Sequence, residues 1–239
     1  FTACHLSLEQ YQSFLTANQL SATAIEDIYT LSPLQEGMLF HKLMTPDSPA
    51  YFNQVELFIA TPIDIPHFKN CCEQIVKAHP ALRTSFFSEG LPSPLQVVNK
   101  TVDLDFVHHD IVNKTLEEQE QLIQNYILAD RKKGFELSQK SLLRLALFQT
   151  DIAQFRLVVS DHHITMDGWS QAILLQDLKR LYRKEIRSIK VKPYSPYIAW
   201  LNEQSANESE AFWKDYLAGY EETVAIPKLK TTTSTLDMD

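Results

Sequence analysis

The apolar residues of this chain fall into two periods, and the periods alternate along its length. Phe155 to Val159 and Leu142 to Phe148 are short apolar runs of strand length. The polar stretch Gln149 to Gln154 between them predicts a hairpin. Tyr51 to Ala60 alternates as a strand, and Arg83 to Phe87, Leu95 to Val98 and Leu104 to Val107 read as further short strands. Helical spacing appears elsewhere. In Ser7 to Asn18, Leu8, Tyr11, Phe14 and Leu15 form one packing face behind Ser7 as cap. Ser32-Pro33 opens a second helix, with Leu34, Met38, Leu39 and Leu43 on its apolar face. Pro66 to His79 turns Phe68, Cys72, Ile75 and Val76 inward, Lys114 to Lys133 does so with Ile123 and Ile127, and the leucines after Gln171 continue the pattern to Lys184. Strands and helices in repeated alternation predict an α/β sandwich.

Composition narrows the classes of function. Of 239 residues 44% are hydrophobic and 22% charged, enough to bury a substantial core. Lys and Arg number 22 against 30 Asp and Glu, a net charge of -8, with no basic stretch able to track phosphates; nucleic acid is not an expected partner. No apolar run has the length of a membrane span, and the N-terminus carries neither a signal peptide nor an initiator methionine. The chain reads as a piece of a longer cytoplasmic protein. The three cysteines, Cys4, Cys71 and Cys72, do not form a disulfide framework. They read as buried thiols, so no metal site is expected.

The candidate chemistry lies in Ser160 to Ser170, SDHHITMDGWS, between the last predicted strand and the helix that follows. Strand ends facing a helix start combine a rigid scaffold with a free loop. A neutral imidazole, with a pKa near ~6.5, can take a proton from a nucleophile and return it. Adjacent residues on a strand point to opposite faces, so His162 and His163 cannot both serve one pocket. One would do chemistry and the other support it; two satisfied histidines of the fold would give the same pattern. Asp167, four residues after His163, could bond the ring directly or anchor the loop through an arginine. His108-His109-Asp110 lacks a following turn and helix start, and is discounted.

His162-His163-Ile164-Thr165-Met166-Asp167-Gly168 resembles the HHxxxDG signature of condensation domains of nonribosomal peptide synthetases, within the chloramphenicol-acetyltransferase-like fold. Four other stretches are similar to that family's motifs in the same order. They are Ser32 to His41 (SPLQEGMLFH), His79 to Phe86 (HPALRTSF), Phe135-Glu136-Leu137 with Leu142-Leu143-Arg144, and Pro193 to Leu201 followed by Phe212-Trp213. Two departures are Ser141, where the family has proline, and Pro196, where it has aspartate.

The resemblance implies a two-layer α/β sandwich, one lobe of a two-lobed domain. Residues 1–24 would form a linker and leading helix, 25–230 the N-terminal lobe, and 231–239 a tail leading to a C-terminal lobe that the chain lacks. It implies amide formation between an aminoacyl or peptidyl thioester donor and an aminoacyl acceptor. The expected partners are upstream and downstream carrier domains, the C-terminal lobe and an adjacent adenylation domain. No cofactor would be bound by the chain itself; the substrates would ride on 4'-phosphopantetheine arms. His163 would be catalytic, as base or as hydrogen-bond acceptor for the amine. His162, Asp167, Gly168 and Arg83 would support the motif, with Arg83 paired to Asp167 and Gly168 permitting close backbone approach. Trp169, Ser170 and Trp200 would line or pack the channel. Asp167-Gly168-Trp169-Ser170 and the Gln35 to His41 wording resemble domains that take a D-configured donor more than those that take an L donor. The other readings are an epimerisation domain and a catalytically silent interaction platform. The isolated lobe would be inactive and would expose the face that meets its partner.

Overall fold

The hairpin that delivers the motif is the centre of the fold. The computed structural model describes Cys4 and residues 6–221. Strands β6 (Leu143–Asp151) and β7 (Gln154–His162) pair antiparallel, Leu147 opposite Leu157. β2 (Phe52–Ile59) pairs antiparallel with the other edge of β7, and β5 (Asp105–Asp110) runs parallel to β6, giving the order β2-β7-β6-β5. Helices cover both faces of this sheet, which is why β6 reads as an almost continuous apolar run instead of an alternating one. On one face Leu143, Leu145, Leu147 and Leu157 meet α3 (Ile65–Ala78) and α5 (Gly168–Tyr182) through Phe68, Cys72, Ile75 and Leu181. On the other, Ala146, Phe148 and Val158 meet Ile123 of α4 (Leu116–Lys133).

A second, antiparallel sheet has the order β1-β4-β3, from β1 (Ile25–Thr30), β4 (Leu95–Asn99) and β3 (Thr84–Phe87). The apolar pattern does not predict β1, because Glu26 and Asp27 interrupt it. The leading helix α1 (Leu8–Ala17) packs on this sheet, with Phe14 edge-on to Phe87 at 5.4 Å between ring centroids. Ser7 caps it in a reciprocal box with Gln10, which satisfies two otherwise orphaned amides. α2 (Pro33–Met44) opens the same way, with Ser32 and Gln35 reciprocally bonded and proline at the first turn.

The residues from the start to Asn202 form one compact unit, which includes α6 (Ser195–Asn202), seated on β1 and β4 through Ile198. From Glu203 onward the chain forms a second unit, whose helix α7 (Ala206–Tyr216) is capped by Ser205 and stacks Phe212 on Tyr216 one turn away. The expected tail at 231–239 lies outside the described residues.

Candidate active site

β7 ends at His162, and the backbone then leaves the sheet in a turn that runs into α5. The turn is held by bonds within itself and by Tyr51 and Gln35 from outside. His163 donates its amide to the carbonyl of Tyr51 at 2.8 Å, Thr165 donates its amide and its hydroxyl to the carbonyl of His162, and Ile164 donates to Nδ1 of His162 at 3.2 Å. Gln35 of α2 donates from Nε2 to the carbonyl of Ile164 at 3.1 Å, and Gln96 of β4 in turn donates to Oε1 of Gln35 at 3.0 Å. Tyr51 accepts its bond from a left-handed backbone, φ 65°, a conformation that costs free energy for any residue with a side chain and gathers at functional sites. The capping pattern at Ser32 was legible in the sequence; the reach of Gln35 to a carbonyl 129 residues away was not.

The two histidines, one at the end of β7 and the other on the turn after it, open onto different cavities. His163 lines a cavity of about 340 Å³, together with Gln35, Met38, Thr84, Gln96, Thr165, Asp167, Ser170 and Tyr194. His162 is buried and lines a separate cavity of about 620 Å³ with Lys42, Phe52, Arg131 and Phe135. Burial, aided by the positive charge of Lys42 and by His163, pushes the His162 imidazole down to about 4. Its unfolded value is near ~6.5, so between those two pH values the unfolded chain binds more protons than the folded one. Stability therefore falls as pH drops through this window. At ~1.4 kcal/mol per unit, this single group is expected to contribute a loss of about 3 kcal/mol once it is fully protonated. Denaturant titrations across that range check it: His162→Asn should flatten the profile, and an unchanged acid slope would assign the loss to other groups.

Asp167 and Arg83 correct the expected ion pair. Asp167 is the exposed N-cap of α5, and its Oδ1 accepts from the amide of Ser170 at 2.8 Å and from its hydroxyl at 2.7 Å. Those bonds hold its carboxyl below the ordinary value. Arg83 is buried in the 3₁₀ turn before β3, with Nη1 on Glu26 at 2.8 Å, Nε on the carbonyl of Val76 at 3.1 Å, and a further bond to the carbonyl of Asn99. It ties α3 to the β1-β4-β3 sheet, so its support is given to the scaffold and not to the motif loop. Arg83→Ala orphans buried carbonyls and is expected to cost about 3 kcal/mol, whereas Glu26→Ala, which loses a half-exposed partner, should cost about 1 kcal/mol or less. Chemical denaturation of both variants measures the contrast; equal losses would contradict it.

Gly168 begins α5 and a Cβ there would meet nothing within 4 Å, so the chain's own backbone does not require glycine at this place. Trp169 is 82% exposed and lies outside the cavity that Ser170 lines, since neighbouring helix positions point about 100° apart. Trp200 stacks on Tyr197 at 5.9 Å between ring centroids and also stays outside that cavity. His109, discounted in the sequence, stacks on Phe148 at 4.6 Å as a packed side chain. Among the described residues no group of three or more His, Cys, Asp or Glu is arranged to hold a metal ion, and Cys4, Cys71 and Cys72 are buried free thiols. No helix among them is long and apolar enough to cross a membrane.

The model of the condensation domain family matches residues 25–239. The chain belongs to the condensation domain family. Relatives of this condensation-family chain include bacitracin synthase 1 of Bacillus licheniformis, 37% identical over 227 residues that make up 93% of this chain and 4% of that protein. Gramicidin S synthase 2 of Brevibacillus brevis is 35% identical over 86% of this chain and 5% of its own length. The chain thus spans less than a tenth of these relatives. Among solved structures, the starter condensation domain of the rhizomide synthetase RzmA shares the fold with a TM-score of 0.71 at 21% identity, over 85% of this chain and 55% of that one. The four-domain nonribosomal peptide synthetase AB3403 aligns with a TM-score of 0.67 at 21% identity, over 81% of this chain and 15% of that one.

Proposed function

We propose that this chain supplies one wall of a site that joins a carrier-tethered aminoacyl or peptidyl thioester to the amine of a second tethered aminoacyl group. The observation that carries the reading is the placement of His163: on a turn bonded to Tyr51 just before β2 and to Gln35 of α2, at the edge of a cavity rimmed by hydroxyls and amides from four elements. A thioester is already activated, so the main demand is to hold two tethered ends together, and well-oriented pairs gain on the order of several kcal/mol from that alone. The partners proposed are an upstream and a downstream carrier domain with their 4'-phosphopantetheine arms, an adjacent adenylation domain and a C-terminal lobe that closes the cavity. The setting proposed is the cytoplasm. The wording of Gln35 to His41 and Asp167 to Ser170 supports a donor of D configuration.

Donor-loaded and acceptor-loaded carriers offered to the domain completed by its C-terminal lobe test both parts. Amide product formed faster from the D-donor than from its L-enantiomer is the expected result. L-donor preference would remove the subtype. Exchange of the α-proton of one loaded aminoacyl group in deuterated water, without amide formation, would replace the reading by epimerisation, and neither product nor exchange would leave a silent docking platform.

A further inference from the structure

Three polar side chains lead in series to the ring of His163. Gln171, in the first turns of α5, donates from Nε2 to Oδ1 of Asp161 at 3.0 Å. Asn53, which faces Asp161 in the β2–β7 register, donates from Nδ2 to Oδ2 of the same carboxylate at 3.0 Å. That same Nδ2 lies 3.2 Å from Nδ1 of His163. Asp161 is fully buried, at 0% exposure, and lies beneath the motif on β7. Burial pushes its carboxyl up, and the bonds from Asn53 and Gln171 act in the opposite sense by favouring the charged form.

The chemistry of these groups sets the hydrogens. An ionised carboxylate only accepts, so both amides must turn their NH2 groups towards it. Reversing Asn53 would bring its carbonyl oxygen against a buried carboxylate oxygen, two acceptors with no proton between them. With its orientation fixed, the Asn53 NH2 group spends one hydrogen on Asp161 and has the other for His163. Nδ1 of His163 must then present its lone pair, and a neutral imidazole carries its single hydrogen on the other nitrogen. Nε2 has no protein partner among the described residues, and the ring lines the cavity.

We propose that Asn53, held by Asp161 and Gln171, fixes His163 as the tautomer protonated on Nε2, so that the ring meets a bound group as a hydrogen-bond donor. Asn53 is then a positioning residue. The identity of the bound group rests on the amide-forming reading given above. In that reaction the amine nitrogen bonds to the thioester carbonyl carbon and the C=O π pair moves onto oxygen, where Nε2–H donates to the developing negative charge. When the carbonyl re-forms, the C–S bond breaks with its electron pair on sulfur. The proton shed by nitrogen goes to that sulfur, giving amide and free thiol. This reverses the role expected from the sequence, in which His163 accepts from the amine.

The test is nitrogen NMR on the 239-residue chain labelled with 15N-histidine, with His163 assigned through its backbone, at neutral pH. The expected spectrum has His163 Nδ1 resonating as the bare, pyridine-type nitrogen and Nε2 as the hydrogen-bearing, pyrrole-type one. In Asp161→Asn the carboxylate that orients Asn53 is gone, and Nδ1 should shift part-way to the pyrrole-type position as both tautomers fill. A wild-type Nδ1 that carries the hydrogen overturns the proposal with no variant needed. An unshifted ring in both folded Asp161→Asn and folded Asn53→Ala overturns the part given to Asn53. No acyl transfer is involved, so this inference and the amide-forming reading can fail independently.

Discussion

Replacing Asp130 by alanine is expected to remove about 3 to 5 kcal/mol of stability, a large share of the ~5 to 15 kcal/mol typical of a native protein. Asp130 on α4 and Arg144 on β6 are both buried, at 6% and 5% exposure, and meet with Nε to Oδ1 at 2.6 Å. The guanidinium also donates to the carbonyl of Gly134 at 2.8 Å and to that of Asp130 at 3.2 Å, and it lies 3.9 Å from the centroid of the Phe135 ring. Gln54 of β2 donates to the second carboxylate oxygen at 3.1 Å. Every polar atom of the acid therefore has a partner, and its removal strands a buried cation. Arg144→Lys should recover little, because an ammonium cannot reproduce the planar fork or the stacking on Phe135. Urea titration of the chain, with an unchanged m-value, measures the loss; a change below about 1 kcal/mol would show that the pair is solvated in solution.

The largest expected effect on activity belongs to His163. In the domain completed by its C-terminal lobe, His163→Ala should lower single-turnover amide formation by about 10²- to 10³-fold, the range measured when one preorganised donor to an oxyanion is deleted. The ring is only half-buried and its one side-chain hydrogen bond among the described residues is with Asn53, so the melting temperature should be unchanged. His163→Gln separates proton transfer from hydrogen bonding. An amide can donate or accept a hydrogen bond but cannot serve as a base near neutral pH, so partial recovery over alanine fits a hydrogen-bonding role and none fits the base. Equal rates for wild type and His163→Ala would leave proximity as the source of catalysis and the motif as a structural turn.

Much of the fold was legible because it is local. The β6–β7 hairpin follows from two apolar runs around a polar turn, and the helix starts at Ser7 and Ser32 follow from caps and a proline. The separation of His162 from His163 was expected from the alternation of a strand, although His163 lies on the turn after β7. What the sequence hid is long-range register. Glu26 partners Arg83 across 57 residues, Asn53 meets His163 across 110, and Gln35 reaches Ile164 across 129. Nothing in the spacing of those residues announces the contacts, because each depends on which strand edges pair. Asp161 was hidden differently: one residue before the histidine pair, it reads as loop polarity until β2 is laid beside β7 and Asn53 falls opposite it. Arg83 shows a different error: the family resemblance implied a pair with Asp167, whereas the fold gives it Glu26 and the carbonyls of Val76 and Asn99.

The central claim is that this chain carries one wall of an amide-forming site, with His163 on it. The most direct measurement is single-turnover product formation from donor-loaded and acceptor-loaded carriers, comparing the 239-residue chain alone with the same chain joined to a C-terminal lobe. Amide product from the joined form and negligible product from the chain alone are the expected results. Turnover by the chain alone at the joined form's rate would contradict the claim.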